Sequence, residues 1–102
     1  MSARADGGWF CYLLECADGT LYTGIARSVE QRLALHNSGR ASKYTRGRLP
    51  VRLVYSEPHR DRSAAGRREY EIKQLSRERK RSLSKDMRVT RVGRRRYERV
   101  TS

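Results

Sequence analysis

Five residues in this sequence form a set that could hydrolyse a phosphodiester bond: Tyr12, Tyr22, Arg32, His36 and Glu69. That reaction needs a base to activate water, cations to meet the charge of the pentacovalent transition state, and usually a metal ion. Tyr22, in the run Tyr22-Thr23-Gly24, can be the base only if its phenol ionises well below the usual value of about 10. A nearby Arg32, a metal-bound water and a neutral His36 are the groups that could bring this about. Arg32 can clamp a phosphate through two parallel N–H groups. Glu69 can hold Mg²⁺ through one carboxylate oxygen, with water and phosphate completing the shell. Taken singly, each residue has an ordinary reading. Strand tyrosines usually pack a core, and Gly24 inside a strand can mark a bulge. His36 near a helix C-terminus suits the helix dipole, and Glu69 beside Arg68 and Glu71 suits a helix-face ion pair.

The set works only if local structure brings it together. Trp9 to Cys16 is an apolar, aromatic run ending in Ala17-Asp18-Gly19, and Thr20 to Ala26 follows, so a β-hairpin is expected. A two-residue loop at Asp18-Gly19 sets Tyr22 opposite Glu15 and puts Tyr12 and Tyr22 on opposite faces. A three-residue loop, Ala17 to Gly19, sets Tyr22 opposite Leu14 and puts both on one face. Gly at the third loop position favours the latter. Ser28 to Ser38 reads as a helix, with Ser28 and Gln31 as a capping box and Gly39 as the stop. At 100° per residue Val29, Arg32, Leu33 and His36 share an arc of about 100°. Gly39 to Leu49 is a basic loop with a tyrosine in it. Pro50 to Ser56 alternates as a third strand. Ser63 to about Ser76 is a second helix, capped by Asp61 or Ser63, with Glu69 about 40° from Ala65 at the edge of its apolar face. Arg77 to Leu83 is a short third helix.

Charge narrows the partners. The chain has 102 residues, 24 basic against 11 acidic, and a net charge of +13. That balance calls for a polyanion, with nucleic acid favoured over a membrane face because the arginines are spread along the chain. Arg outnumbers Lys 20 to 4, which biased coding can produce, but coding bias does not explain the excess of base over acid. No 18-residue apolar run suggests a membrane span. Residues 1–8 are expected to be a disordered tail, 9–84 the folded domain, and 85–102 a basic tail. Cys11 and Cys16 would lie about 17 Å apart on a strand and face opposite ways, too far for a disulfide. They read as buried thiols of a cytoplasmic protein.

Together the motifs resemble a known family. Phe10-Cys11-Tyr12, followed after nine residues by Tyr22-Thr23-Gly24, is similar to the paired elements of the GIY-YIG nucleases. Arg32 and His36 stand where that family has its helix arginine and its catalytic His or Tyr, and Glu69 stands where it has its metal-binding glutamate. The likeness spans about Trp9 to Leu83 and is closest to small stand-alone bacterial members. It implies an α/β (α+β) fold, a three-stranded antiparallel sheet flanked by helices. It implies Tyr22 as general base, Tyr12 shaping the site, Arg32 on the scissile phosphate, His36 supporting the base or the phosphate, and Glu69 holding one Mg²⁺ or Mn²⁺ ion. Lys43, Tyr44 and Arg46 in the basic loop, with Lys73 one turn after Glu69, are expected to contact the nucleic acid. The expected function is a metal-dependent DNA endonuclease acting on branched or single-stranded DNA, cytoplasmic or on the nucleoid, alone or with a partner subunit. A non-catalytic DNA- or RNA-binding protein on the same scaffold is the alternative. The chain departs from the family in Phe10-Cys11 for Gly-Ile, in Thr23 for Ile, and in having no asparagine beyond Glu69.

Overall fold

Gly19, at φ +86°, closes the hairpin. The Cys16 N–H donates to the Thr20 carbonyl at 2.8 Å and the Gly19 N–H to the Cys16 carbonyl at 2.9 Å. The Asp18 carboxylate accepts from the Thr20 N–H and hydroxyl. The loop is therefore Ala17 to Gly19, and Leu14 pairs with Tyr22. Tyr12 and Tyr22 share a face, as the three-residue loop requires.

The computed structural model describes residues 8–90. In chain order the elements are β1 (Trp9–Glu15), β2 (Leu21–Ala26), α1 (Val29–Asn37), α2 (Lys43–Arg46), β3 (Arg52–His59), α3 (Arg62–Lys73) and α4 (Arg77–Thr90). The three strands form one antiparallel sheet in the order β2-β1-β3, so β1 is central. Because strand side chains alternate, β1 builds two cores. Tyr12, Leu14 and Cys16 pack with Val51 and with Val29 and Leu33 of α1. Cys11 and Leu13 pack on the other face with Val54, Ile72 of α3 and Leu83 of α4. The two cysteines are free and buried on opposite faces.

Several boundaries differ from the sequence reading, each for a local reason. The basic loop contains α2, because Ser42 Oγ accepts the N–H groups of Tyr44 and Thr45 and caps a single turn. The third strand begins after Pro50, not at it. Asn37 at the end of α1 pairs its side-chain amide with both the N–H and the carbonyl of Val51, tying that helix to the strand's start. Asp61 caps α3 through the Ala64 N–H, and the helix stops at Lys73 rather than Ser76. The last helix runs beyond Leu83 to Thr90, into the segment expected to be tail. The rest of that tail and residues 1–7 lie outside the described residues.

Charged clasps fix the helices to the sheet. Arg68 of α3 donates to Glu57 of β3 at 2.8 Å, and Glu57 also accepts from Tyr55 and pairs with His59 at 2.7 Å. Burial pushes the Glu57 carboxyl up, but the hydrogen bonds from Tyr55, His59 and Arg68 outweigh it and hold it below the usual range. Arg77 and Arg81 of α4 donate to the Gly19 carbonyl, and Arg81 also pairs with Glu15.

Candidate active site

The site begins with an absent side chain. Tyr12 pairs across the strands with Gly24, and a Cβ at Gly24 would lie 2.6 Å from the Tyr12 hydroxyl oxygen. The phenol lies over the glycine. Gly24 thus marks a close approach, not a bulge, since β1 and β2 pair through it in unbroken register.

From there a buried chain of polar groups runs to α2. The Tyr12 hydroxyl is 3.1 Å from His36 Nε2, and His36 Nδ1 is 2.8 Å from Thr45 Oγ1. Thr45 Oγ1 donates to the Ser42 carbonyl at 3.4 Å. With the Thr45 proton directed there, His36 Nδ1–H donates to Thr45, and Nε2 accepts from Tyr12. His36 and Thr45 are 1% and 0% exposed. Burial lowers the tendency of His36 to protonate, and the Arg32 charge lowers it further, so the ring is neutral at pH 7. Burial pushes the Tyr12 phenol above its usual range, Tyr22 adds to this, and Arg32 opposes it. Tyr12 is a standing proton donor.

Tyr22 packs edge-on against His36, with ring centroids 4.9 Å apart, and lies 6.5 Å from the Tyr12 ring. Among the described residues its hydroxyl makes no hydrogen bond. Arg32, on the same helix as His36, is half-buried. Among the described residues it has no carboxylate within 4.0 Å. A half-buried guanidinium without a counter-ion is a seat for an anion.

Glu69 arrives from α3, on the other side of the sheet. Burial is the main cause that raises the Cys11 thiol and the Tyr12 phenol, and the Glu69 charge adds to both. Its carboxylate pairs with Lys73 at 3.4 Å, while the neighbouring Arg68 pairs with Glu57 and Glu71. No group of three or more His, Cys, Asp or Glu side chains converges among the described residues. That donor set does not suit zinc. It fits Mg²⁺ or Mn²⁺ bound through one carboxylate with water and phosphate supplying the other ligands. Lys73 is exposed and Glu69 half-buried; helix i,i+4 pairs at a surface are worth only about 0.3–0.5 kcal/mol, so Lys73 is a weak competitor.

Tyr44 of α2 comes within 5.9 Å of the Tyr22 ring, and Arg48 stacks over it with Cζ 4.1 Å from the ring centre. Arg48 is fixed by Asp18 and by the Tyr44 carbonyl. Lys43 and Arg46 stand exposed on the same turn. Of the four expected contact residues, the structure brings Tyr44 against the tyrosine pair and ties Lys73 to Glu69. Sequence reasoning missed Thr45, Ser42 and Arg48. Ser42 three residues before Thr45 is a cap-like spacing that could have revealed the turn.

Residues 8–82 match the family model described as the GIY-YIG catalytic domain. The chain is 58% identical over 78 residues to a UPF0213 protein of Desulfotalea psychrophila, covering 76% of this chain and 71% of that one. It is 48% identical over 77 residues to a UPF0213 protein of Staphylococcus aureus, covering 76% and 94%. The solution NMR structure of a protein from E. faecalis is 34% identical and superposes with a TM-score of 0.53, covering 85% of this chain and 93% of that one. With the sheet, the tyrosine pair and the α1 residues in place, and with residues 8–82 matched by the family model, the chain belongs to the GIY-YIG family and groups there with the UPF0213 proteins.

Proposed function

We propose that the protein is a DNA endonuclease that hydrolyses the phosphodiester backbone with one Mg²⁺ or Mn²⁺ ion, acting on branched or single-stranded DNA. The observation that carries this reading is Arg32, a half-buried cation with no acidic partner among the described residues, set beside Tyr12, Tyr22 and a neutral His36. A GIY-YIG catalytic domain points to a nuclease in the same direction.

Held by Glu69, the metal ion would neutralise charge on the phosphate and its leaving oxygen. Arg32 donates N–H groups to the non-bridging oxygens. Tyr22, with its hydroxyl uncommitted, would be the group that takes the proton of the attacking water once its own proton has passed to solvent. Tyr12 keeps its proton and donates it to His36 Nε2, which fixes the imidazole against the Tyr22 ring. His36 supports the base by packing, since both its nitrogens are already bonded.

One observation favours a non-catalytic binder on this scaffold: Glu69 is satisfied by Lys73 within its own helix. Cleavage decides between the two. A panel of flaps, junctions, single strands and duplex is expected to show nicking with Mg²⁺ or Mn²⁺ and none in chelator. Glu69→Ala and Tyr22→Phe should each reduce the rate by about 100-fold or more. Cleavage that survives both substitutions removes the mechanism.

A further inference from the structure

Trp9 stands at the end of the sheet away from the hairpin turn, and two guanidinium groups lie against its ring. Arg27 Cζ is 6.0 Å from the ring centre and Arg62 Cζ is 5.6 Å. Three elements converge there: Trp9 opens β1, Arg27 follows the last residue of β2, and Arg62 opens α3. Arg27 is seated as well as stacked. A Cβ at Gly8, where φ is +75°, would lie 2.8 Å from one of its terminal nitrogens. Glycine both adopts that backbone and leaves the guanidinium its place.

Both arginines are exposed, and among the described residues neither has a carboxylate within 4.0 Å. At these distances the contacts are cation–π, and among the described residues neither guanidinium donates a hydrogen bond, so the N–H groups of both are free to meet an anion. Trp9 is three residues from Tyr12 on the strand, so its side chain leaves the sheet on the face of Cys11 and Leu13, opposite the tyrosine pair. Helix α3 packs on that face, and Arg62 precedes Glu69 by seven residues of helix, about 10 Å.

We propose that Trp9, Arg27 and Arg62 form a second anion subsite that binds a backbone phosphate of the nucleic acid on the α3 face of the sheet. The proposal rests on the nucleic-acid reading of the active site. A nucleic acid gripped here as well as at Arg32 is held from both faces of the sheet.

Trp9 is the only tryptophan in the chain, so emission excited at the red edge, where tyrosine scarcely absorbs, reports this subsite alone. The full chain is titrated with an oligonucleotide in EDTA, following Trp9 emission and the anisotropy of labelled DNA in parallel. Cleavage with Mg²⁺ is measured separately. Emission is expected to change saturably with the same midpoint as anisotropy. Arg27→Gln with Arg62→Gln should abolish the emission response and reduce the log–log salt slope of binding by about 2. Circular dichroism checks that this variant is folded. Arg27→Lys with Arg62→Lys, which keeps charge but loses the stacked fork, should fall between it and the wild type. DNA binding without a change in Trp9 emission, or a salt slope unchanged in the glutamine variant, overturns the subsite. Cleavage with a silent Trp9 sinks the subsite and spares the nuclease reading. A Trp9 response to bound DNA without cleavage does the reverse.

Discussion

At the scale of single residues, the site depends on Gly24 as much as on any group that could do chemistry. Its missing side chain is the space the Tyr12 phenol occupies. Gly24→Ala must push that ring off its strand partner, which should cost about 1–3 kcal/mol in stability, as overpacking does. Urea unfolding measures this, and a variant as stable as wild type would mean that the phenol yields freely. The tyrosines, Arg32, His36 and Glu69 were legible in the sequence because each sits at a fixed spacing inside a strand or helix. Gly24 was visible too, but its purpose was not, since a strand glycine serves a bulge as readily as a close approach. Thr45 was invisible. Its bond to His36 Nδ1 spans the end of α1 and a loop, and no local pattern joins two residues across such a gap.

At the scale of elements, α3 matters because it carries Glu69, and its seat is the Glu57 clasp. Glu57 accepts from Tyr55 and Arg68 and pairs with His59, with the result that its carboxyl is held below the ordinary 4.5. For a carboxyl lowered in the folded state, the stabilisation is complete above the unfolded value and is lost as pH falls through the folded one. Glu57→Gln should therefore lower stability at pH 7 and flatten the acid decline that wild type shows below about 4.5, in urea melts between neutral and acidic pH. An acid limb unchanged by the substitution would mean that Glu57 titrates alike folded and unfolded. The longer elements could be read: an apolar, aromatic run with its turn residues marked the hairpin, alternation marked the third strand, and Ser28 and the Asp61/Ser63 pair marked helix starts. The single turn of α2 is too short for any periodicity, and it owes its existence to the Ser42 cap. The length of α4 escaped notice because Arg- and Lys-rich sequence reads equally as helix or tail, and contacts at Leu83 with the sheet decide in favour of helix.

At the scale of the whole molecule, the excess of positive charge faces outward. The carboxylates of Glu15, Asp18, Glu57, Glu69 and Glu71 are each paired with Arg, His or Lys. The net +13 already counts these carboxylates, so it is the excess that remains after they are paired. DNA binding should then weaken steeply with salt, by about 10³-fold or more between roughly 50 and 200 mM if six or more phosphates are contacted. Binding that ignores salt would remove the polyanion reading altogether. Charge alone was legible from composition and said polyanion. Under the proposed function, Arg32, the tyrosines and Glu69 would give that charge a reacting centre.

The central strand has a consequence of a different kind. Cys11 lies on β1 and Cys16 just past its end; both are free and sit with their backs to each other, one sealed by α3 and the other by the α1 side of the sheet. Burial raises the Cys11 thiol to about 12 and also raises that of Cys16, so neither reacts as a thiolate while its cover is closed. The molecule thus carries an internal pair of tell-tales. The rate at which an alkylating reagent reaches each sulfur measures how often one helical cover lifts independently of the other.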